Sequence, residues 1–139
     1  MADLLAELDP SVYVLDCLPN MNGQMIAERV VPFVKRLRKA HPRTPILLVE
    51  DRTYSDAFLV ISRQQQNMEN RRELKQAYSH LQSEGIKYIY YLSGNQLLGD
   101  DRDNLATVDG SHPTDLGFMR QADAFYEALK PILLGGFVE

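Results

Sequence analysis

Asp109 and His112 are the pair in this sequence whose types and spacing suit acid–base chemistry. They stand three residues apart across Gly110-Ser111, and such a glycine-containing turn can bring a carboxylate to the imidazole Nδ1. That bond fixes the tautomer, leaves Nε2 free to take a proton from a nucleophile, and stabilises the imidazolium that forms. Pro113 stiffens the backbone beside His112, and Thr114-Asp115 can cap a following helix that would anchor the turn. The chemistry this permits is activation of a nucleophile by a histidine base.

The remaining polar candidates cluster where an α/β protein would place a site, at the carboxyl ends of parallel strands. Asp16, Cys17 and Asn20 follow the first predicted strand, and Glu50-Asp51-Arg52 follow the second. Asp16 reads as the polar end of its strand. Asp51 and Arg52 suit either a local ion pair or the wall of a pocket, and both readings stand. Cys17 permits a rival Cys–His–Asp arrangement with His112, although lone cysteines are more often small buried hydrophobes. Ser93-Gly-Asn95 follows the last strand, and Ser111 reads as a turn residue. His41, His80 and His112 show no ligand spacing such as HxxxH, so no metal site and no cofactor are expected. Tyr88, Tyr90 and Tyr91 read as packing groups. The basic pairs Lys35-Arg36, Arg38-Lys39 and Arg71-Arg72 read as solvated helix faces.

The elements that must position these groups alternate helix and strand. Leu4, Leu5 and Leu8 share one helical face, closed by Asp9-Pro10. Val12-Tyr-Val-Leu-Asp16 reads as a short buried strand. A helix to about Ala40 follows, with Val30, Phe33, Val34 and Leu37 on one face and a kink or fresh start at Pro32. Pro45-Ile-Leu-Leu-Val49 is continuously apolar, as a strand covered on both sides should be. Residues 51–65 form a long connection. Leu74, Ala77, Tyr78 and Leu81 mark the next helix, which Gly85 stops. Residues 86–92 read as the third strand. A polar loop with Asp100, Asp101, Asp103 and Asn104 leads to Asp109. The last helix should carry Leu116, Met119, Ala122, Phe125 and Leu129 inward. This order implies a parallel sheet with right-handed crossovers.

The chain has 139 residues, 45 % of them apolar, which suits one domain over residues 1–139 with a packed core. Its formal net charge is -4, with Lys and Arg dispersed, so neither a nucleic acid nor a membrane surface is an expected partner. One cysteine excludes an intrachain disulfide. The apolar runs are too short to span a bilayer. The N-terminus has Asp3 and Glu7 and no basic region, so a chain starting at Met1 is expected in the cytoplasm. A longer protein could instead carry an export signal and be secreted.

Asp109-Gly-Ser-His-Pro-Thr-Asp-Leu-Gly117 resembles the last conserved block of the SGNH (GDSL-like) hydrolases, whose Asp and His complete a Ser–His–Asp triad. Val14-Leu-Asp-Cys-Leu-Pro-Asn-Met21 is similar to the third block of the GDSL-like lipase/acylhydrolase branch, and Pro45-Ile-Leu-Leu-Val-Glu-Asp-Arg52 to its next strand. The similarity runs from about Leu5 to Leu133. It implies a three-layer α/β/α sandwich of the flavodoxin-like SGNH type, here without the first two strands. It also implies that Asn20 donates to an oxyanion, and that the substrate is an acyl or acetyl ester of a small molecule or carbohydrate. The blocks holding the nucleophilic serine and the oxyanion-hole glycine have no counterpart in the sequence. Three accounts follow: part of an active esterase, an inactive scaffold serving interaction or oligomerisation, or an enzyme using Cys17. The first is the working expectation. With its family neighbour absent, the edge of the first strand is expected to recruit a second copy.

Overall fold

In a computed structural model that describes residues 1–99 and 105–135, the chain folds as a parallel sheet covered by helices on both faces. The polar residues Asp100, Asp101, Asp103 and Asn104 lie outside the described residues. The helices are α1 (Ala2–Leu5), α2 (Gly23–Ala40), α3 (Ile61–Ser83) and α4 (Asp115–Gly135). The strands are β1 (Tyr13–Leu15), β2 (Ile46–Val49) and β3 (Ile89–Leu92), paired in the order β1-β2-β3. Tyr13 lies opposite Ile46, and Ile46 opposite Ile89.

The period of two along β2 builds both cores. Ile46 and Leu48 point to the side of α2 and α3, where they join Tyr13, Ile26, Val34, Leu37, Leu74 and Leu81. Leu47 and Val49 point to the other side and join Leu92, Leu97 and Ile132, with Phe125 and Leu129 of α4 packed against them. All four β2 residues are buried, as a central strand of a three-layer sandwich requires. β1 is covered on one face only. Val14 is 38 % exposed on the α4 side, and no strand pairs with the outer edge of β1 among the described residues.

Several expectations are corrected by this architecture. α1 is one turn, with Leu4 and Leu8 exposed and Leu5 packed inward. The Tyr13 hydroxyl donates to the carbonyls of Leu5 and Leu8, at 2.9 and 3.1 Å, and so closes that segment. α2 runs through Pro32 without a new start. Pro32 is exposed, so the carbonyl deprived of its N–H partner can be met by water. β3 begins at Ile89 because Tyr88 has φ 58°, a left-handed conformation that cannot continue a strand backwards. Tyr88 is consequently exposed, with Arg38 above its ring, whereas Tyr90 and Tyr91 pack against the two cores. On α4 the inward residues are Gly117, Ala124, Phe125, Ala128, Leu129 and Ile132, while Met119 and Ala122 face solvent. Arg38 is not a free surface cation: its guanidinium donates to the carbonyls of His41, Thr44 and Tyr88.

The largest difference is α3, which starts at Ile61, inside the span read as a connection. Its N-terminal half lacks an apolar stripe because the face it buries is polar: Asn67 and Asn70 are both buried. Only from Leu74 onward does the buried face become apolar.

Candidate active site

The Asp109–His112 turn is built from the backbone outward. Asp109 Oδ1 accepts from the backbone N–H groups of Ser111 and His112, at 2.9 and 2.8 Å. The other oxygen, Oδ2, lies 2.7 Å from His112 Nδ1. One carboxylate thus folds the turn and holds the ring, and its charge sets Nδ1 as the protonated nitrogen. These N–H groups, first that of His112, hold the Asp109 carboxyl well below the usual carboxylate range. Gly110 sits at φ +86°, and a Cβ there would fall 2.4 Å from Arg63 Nη1, so the turn requires glycine.

Neighbouring elements fix where the turn stands. Thr114 caps α4, accepting from Gly117 N at 3.3 Å and donating through Oγ1 to the Leu105 carbonyl at 2.7 Å. Arg63 of α3 donates to the Asp109 carbonyl at 2.9 Å while paired with Asp56 at 2.6 Å. Ser55 N donates to the Gly110 carbonyl at 2.9 Å. Arg52, at the carboxyl end of β2, donates from Nε to the Ser111 carbonyl and from Nη2 to Ser111 Oγ at 2.9 Å. Arg52 thus engages the histidine turn, with no direct ion pair to Asp51 among the described residues and no place in the wall of the cavity between the ends of β2 and β3. Ser111, read as a turn residue only, is the anchor for that guanidinium.

Asp51 is fully buried. Burial pushes its carboxyl up, opposed by Arg52 and by the Asn70 side chain, whose Nδ2 lies 3.5 Å from Oδ2. The same Nδ2 donates to the carbonyl of Met21 at 3.1 Å and approaches that of Leu18 at 3.5 Å. Leu18 and Met21 bracket the 3-10 turn Leu18–Asn20. Asn20 is exposed, and its carboxamide has no hydrogen-bond partner among the described residues. No hydrogen bond joins Asn20 to His112 there either; the two turns are linked through Asp51-Arg52. Asp16 is exposed at the end of β1, its carboxyl pushed up by partial burial and pulled back by the Arg52 charge.

Cys17 occupies the start of the Asn20 turn and its thiol approaches Met21 Sδ at 3.7 Å. Burial, then Asp16, push the thiol up, the opposite of what a nucleophilic thiolate needs. Ser93 Oγ donates to Glu50. That carboxylate also accepts from the Tyr91 hydroxyl at 2.5 Å and Gly94 N at 2.8 Å, clamping the ends of β2 and β3 together.

Between those strand ends lies a cavity of about 490 Å³. Tyr54, Phe58, Met68 and Leu98 give it an apolar wall, facing Arg71 and Asn95. Arg71 corrects the reading of a solvated basic pair. It donates to the Asp51 carbonyl, Thr53 Oγ1 and Asn95 Oδ1, and lies 3.6 Å from Glu50, while Arg72 remains on the surface. Asn67, Asn70 and Arg71 were not among the sequence candidates. Their signal was polar residues at helical spacing upstream of Leu74, continuing its inward face.

The GDSL-like lipase/acylhydrolase family model matches residues 1–130. The chain belongs to that family. Among solved structures, a family protein from Bacteroides ovatus ATCC 8483, designated a GDSL-like lipase, superposes with a TM-score of 0.89 at 32 % identity. The match covers 96 % of this chain and 39 % of that one. The salicylyl-acyltransferase SsfX3 from a tetracycline biosynthetic pathway shares the fold, with a TM-score of 0.74 at 21 % identity. That match covers 96 % of this chain and 40 % of that one. This family member therefore spans about two fifths of the length of these structures. No curated protein matches it.

Proposed function

We propose that His112 is the general base, and Asp109 the carboxylate that orients it, of an ester-cleaving acyl-transfer site. The observation that carries this reading is the 2.7 Å contact from Nδ1 to Asp109 Oδ2, which leaves Nε2 without a partner among the described residues. In the proposed cycle a serine Oγ bonds to the ester carbonyl carbon as its proton passes to Nε2. The carbonyl oxygen takes the negative charge, met by a donor from the Asn20 carboxamide. The alkoxide then leaves with the proton from Nε2, and water repeats the sequence on the acyl-serine.

The serine is proposed to come from outside this stretch of sequence. Ser55 Oγ is engaged with Thr107, Ser93 with Glu50 and Ser111 with Arg52, and none of them bonds to His112. The substrate is proposed to be an acyl or acetyl ester of a small molecule or carbohydrate. The family's acylhydrolase chemistry supports the ester class; none of Asn20, Asp109 and His112 lines the cavity between the ends of β2 and β3. Cys17 is exposed and its thiol lies 3.7 Å from Met21 Sδ, with no hydrogen bond to His112 among the described residues, which argues against it as the nucleophile.

Intact-mass labelling by a fluorophosphonate, run beside a short-chain p-nitrophenyl ester assay, tests this reading. The expected result is no stoichiometric labelling of the 139-residue chain and none of the turnover lost in His112→Ala. Stoichiometric labelling abolished by that substitution would place a working serine inside the sequence. Labelling by a thiol probe that depends on His112 would move the nucleophile to Cys17.

A further inference from the structure

Four side chains of α3 (Arg63, Asn67, Asn70 and Arg71) fall on one helical face, and their partners lie on different loops at the carboxyl end of the sheet. Arg63 holds the Asp109 carbonyl. Asn67 accepts from Tyr54 N at 3.1 Å and donates to the Arg52 carbonyl at 2.9 Å, fixing the loop that carries Arg52. Arg71 holds Asp51, Thr53 and Asn95. Asn70 alone among these reaches across to the Asn20 turn, through the carbonyls of Met21 and Leu18.

Burying Asn70 completely in the middle of a helix is costly, the more so because its Oδ1 has no hydrogen-bond partner among the described residues, so whatever offsets that cost comes through Nδ2. Its donors are directed to main-chain carbonyls on either side of Asn20 and to the Asp51 carboxylate. Among the described residues, Asn20 itself contributes only a backbone bond to Cys17, at 3.1 Å, and Met21 one to Leu18, at 2.9 Å. The turn is too short to hold an exposed carboxamide in one place by itself. We infer that Asn70 is a positioning residue: it fixes the turn that presents Asn20 relative to the Asp109–His112 turn, using α3 as the common frame. The functional meaning of that placement rests on the oxyanion role proposed for Asn20; the placement itself does not.

The test uses the full chain with Asn70→Ala, and Asn67→Ala as the internal comparison. Backbone 15N relaxation and residual dipolar couplings are read at Asn20 and Met21, and at Leu47 and Leu48 in β2. The expected result in Asn70→Ala is a fall of the Asn20 and Met21 order parameters from about 0.85 to below about 0.6, with changed couplings there. Values at Leu47 and Leu48 should stay as they are. Asn67→Ala should leave Asn20 and Met21 unaltered and loosen Tyr54 instead. Unchanged values at Asn20 and Met21 in Asn70→Ala would overturn the inference, as would an equal loss throughout β2, the mark of general destabilisation. Should the alanine variant fail to fold, Asn70→Ser, which keeps a hydroxyl, carries the same comparison. A loosened turn beside unchanged ester cleavage by an Asn20→Ala variant of a protein that also supplies the serine would remove the oxyanion reading and leave the positioning intact.

Discussion

Gly117→Ala sets two effects of opposite sign against each other. Helix propensity alone favours alanine, by about 1 kcal/mol in a helix interior. Gly117 lies in the first turn of α4, however, and a Cβ there would fall 2.1 Å from the Ala106 carbonyl oxygen and 2.9 Å from Pro113 Cβ. Relieving the first contact requires the start of α4 to retreat by about 1 Å, since carbon–oxygen contacts much under 3.3 Å are strongly repulsive. Two bonds cross that gap: Thr114 N to the Ala106 carbonyl at 3.0 Å, and Thr114 Oγ1 to the Leu105 carbonyl at 2.7 Å. A retreat of that size takes both beyond hydrogen-bond range, at a cost of about 1 kcal/mol each. Overpacking adds about 1 kcal/mol or more. The net expectation is a loss of about 2 kcal/mol, which lowers the urea midpoint by about 1 M for a typical m-value. Equilibrium urea unfolding by circular dichroism measures it. A variant as stable as the parent, or more so, would refute the reasoning and show that the contact relaxes freely.

The Asp109 carboxyl should remain ionised when ordinary carboxylates have protonated. Its folded pKa lies below the unfolded value of about 3.9, so its contribution to stability is complete above that pH and disappears as pH falls through the folded pKa. A carboxyl 13C titration with its midpoint at or above that value would contradict the geometry of the turn. Tyr91→Phe removes one donor from a buried carboxylate and should cost about 2 kcal/mol in the same urea assay. A change within 0.5 kcal/mol, a rough limit for neutral surface substitutions, would mean that Ser93, Gly94 and Arg71 satisfy Glu50 without it. The outer edge of β1 is expected to pair with a second copy, giving concentration-dependent sedimentation. Monomer behaviour at all concentrations, with a freely exchanging Val14 amide, would count against that.

Much of the fold was legible because it is written in apolar periodicity. The run Pro45-Ile-Leu-Leu-Val49 could only be a covered strand, and Gly85, at φ +77°, stops α3 where expected. The Asp109–His112 contact was legible too, because both groups lie in one short turn whose geometry is local. What escaped is non-local or polar. Nothing in the letters of residues 61–70 says that two asparagines are buried, because their partners are main-chain carbonyls and amides on loops far away in sequence. Tyr88 delays the start of the third strand to Ile89 through a backbone conformation that tyrosine seldom adopts. Helical spacing puts Met119 and Ala122 on the inward face with Phe125 and Leu129, yet both are exposed, because the sheet beneath offers only the width of β2 and β3 to cover.

The shared footing of the site's loops on α3 bears on how such a protein can change by mutation. Loops carried by separate elements can be exchanged one at a time, and their effects add. Here Arg63, Asn67, Asn70 and Arg71 tie the histidine turn, the Arg52 loop and the Asn20 turn to one rigid rod. A substitution that rolls α3 displaces all three at once, so replacements tolerated singly should fail in combination, and a second change on the same rod can rescue a first. Loop and helix at this site should therefore vary together, and a loop transplanted from a relative is expected to need its facing stretch of helix to travel with it.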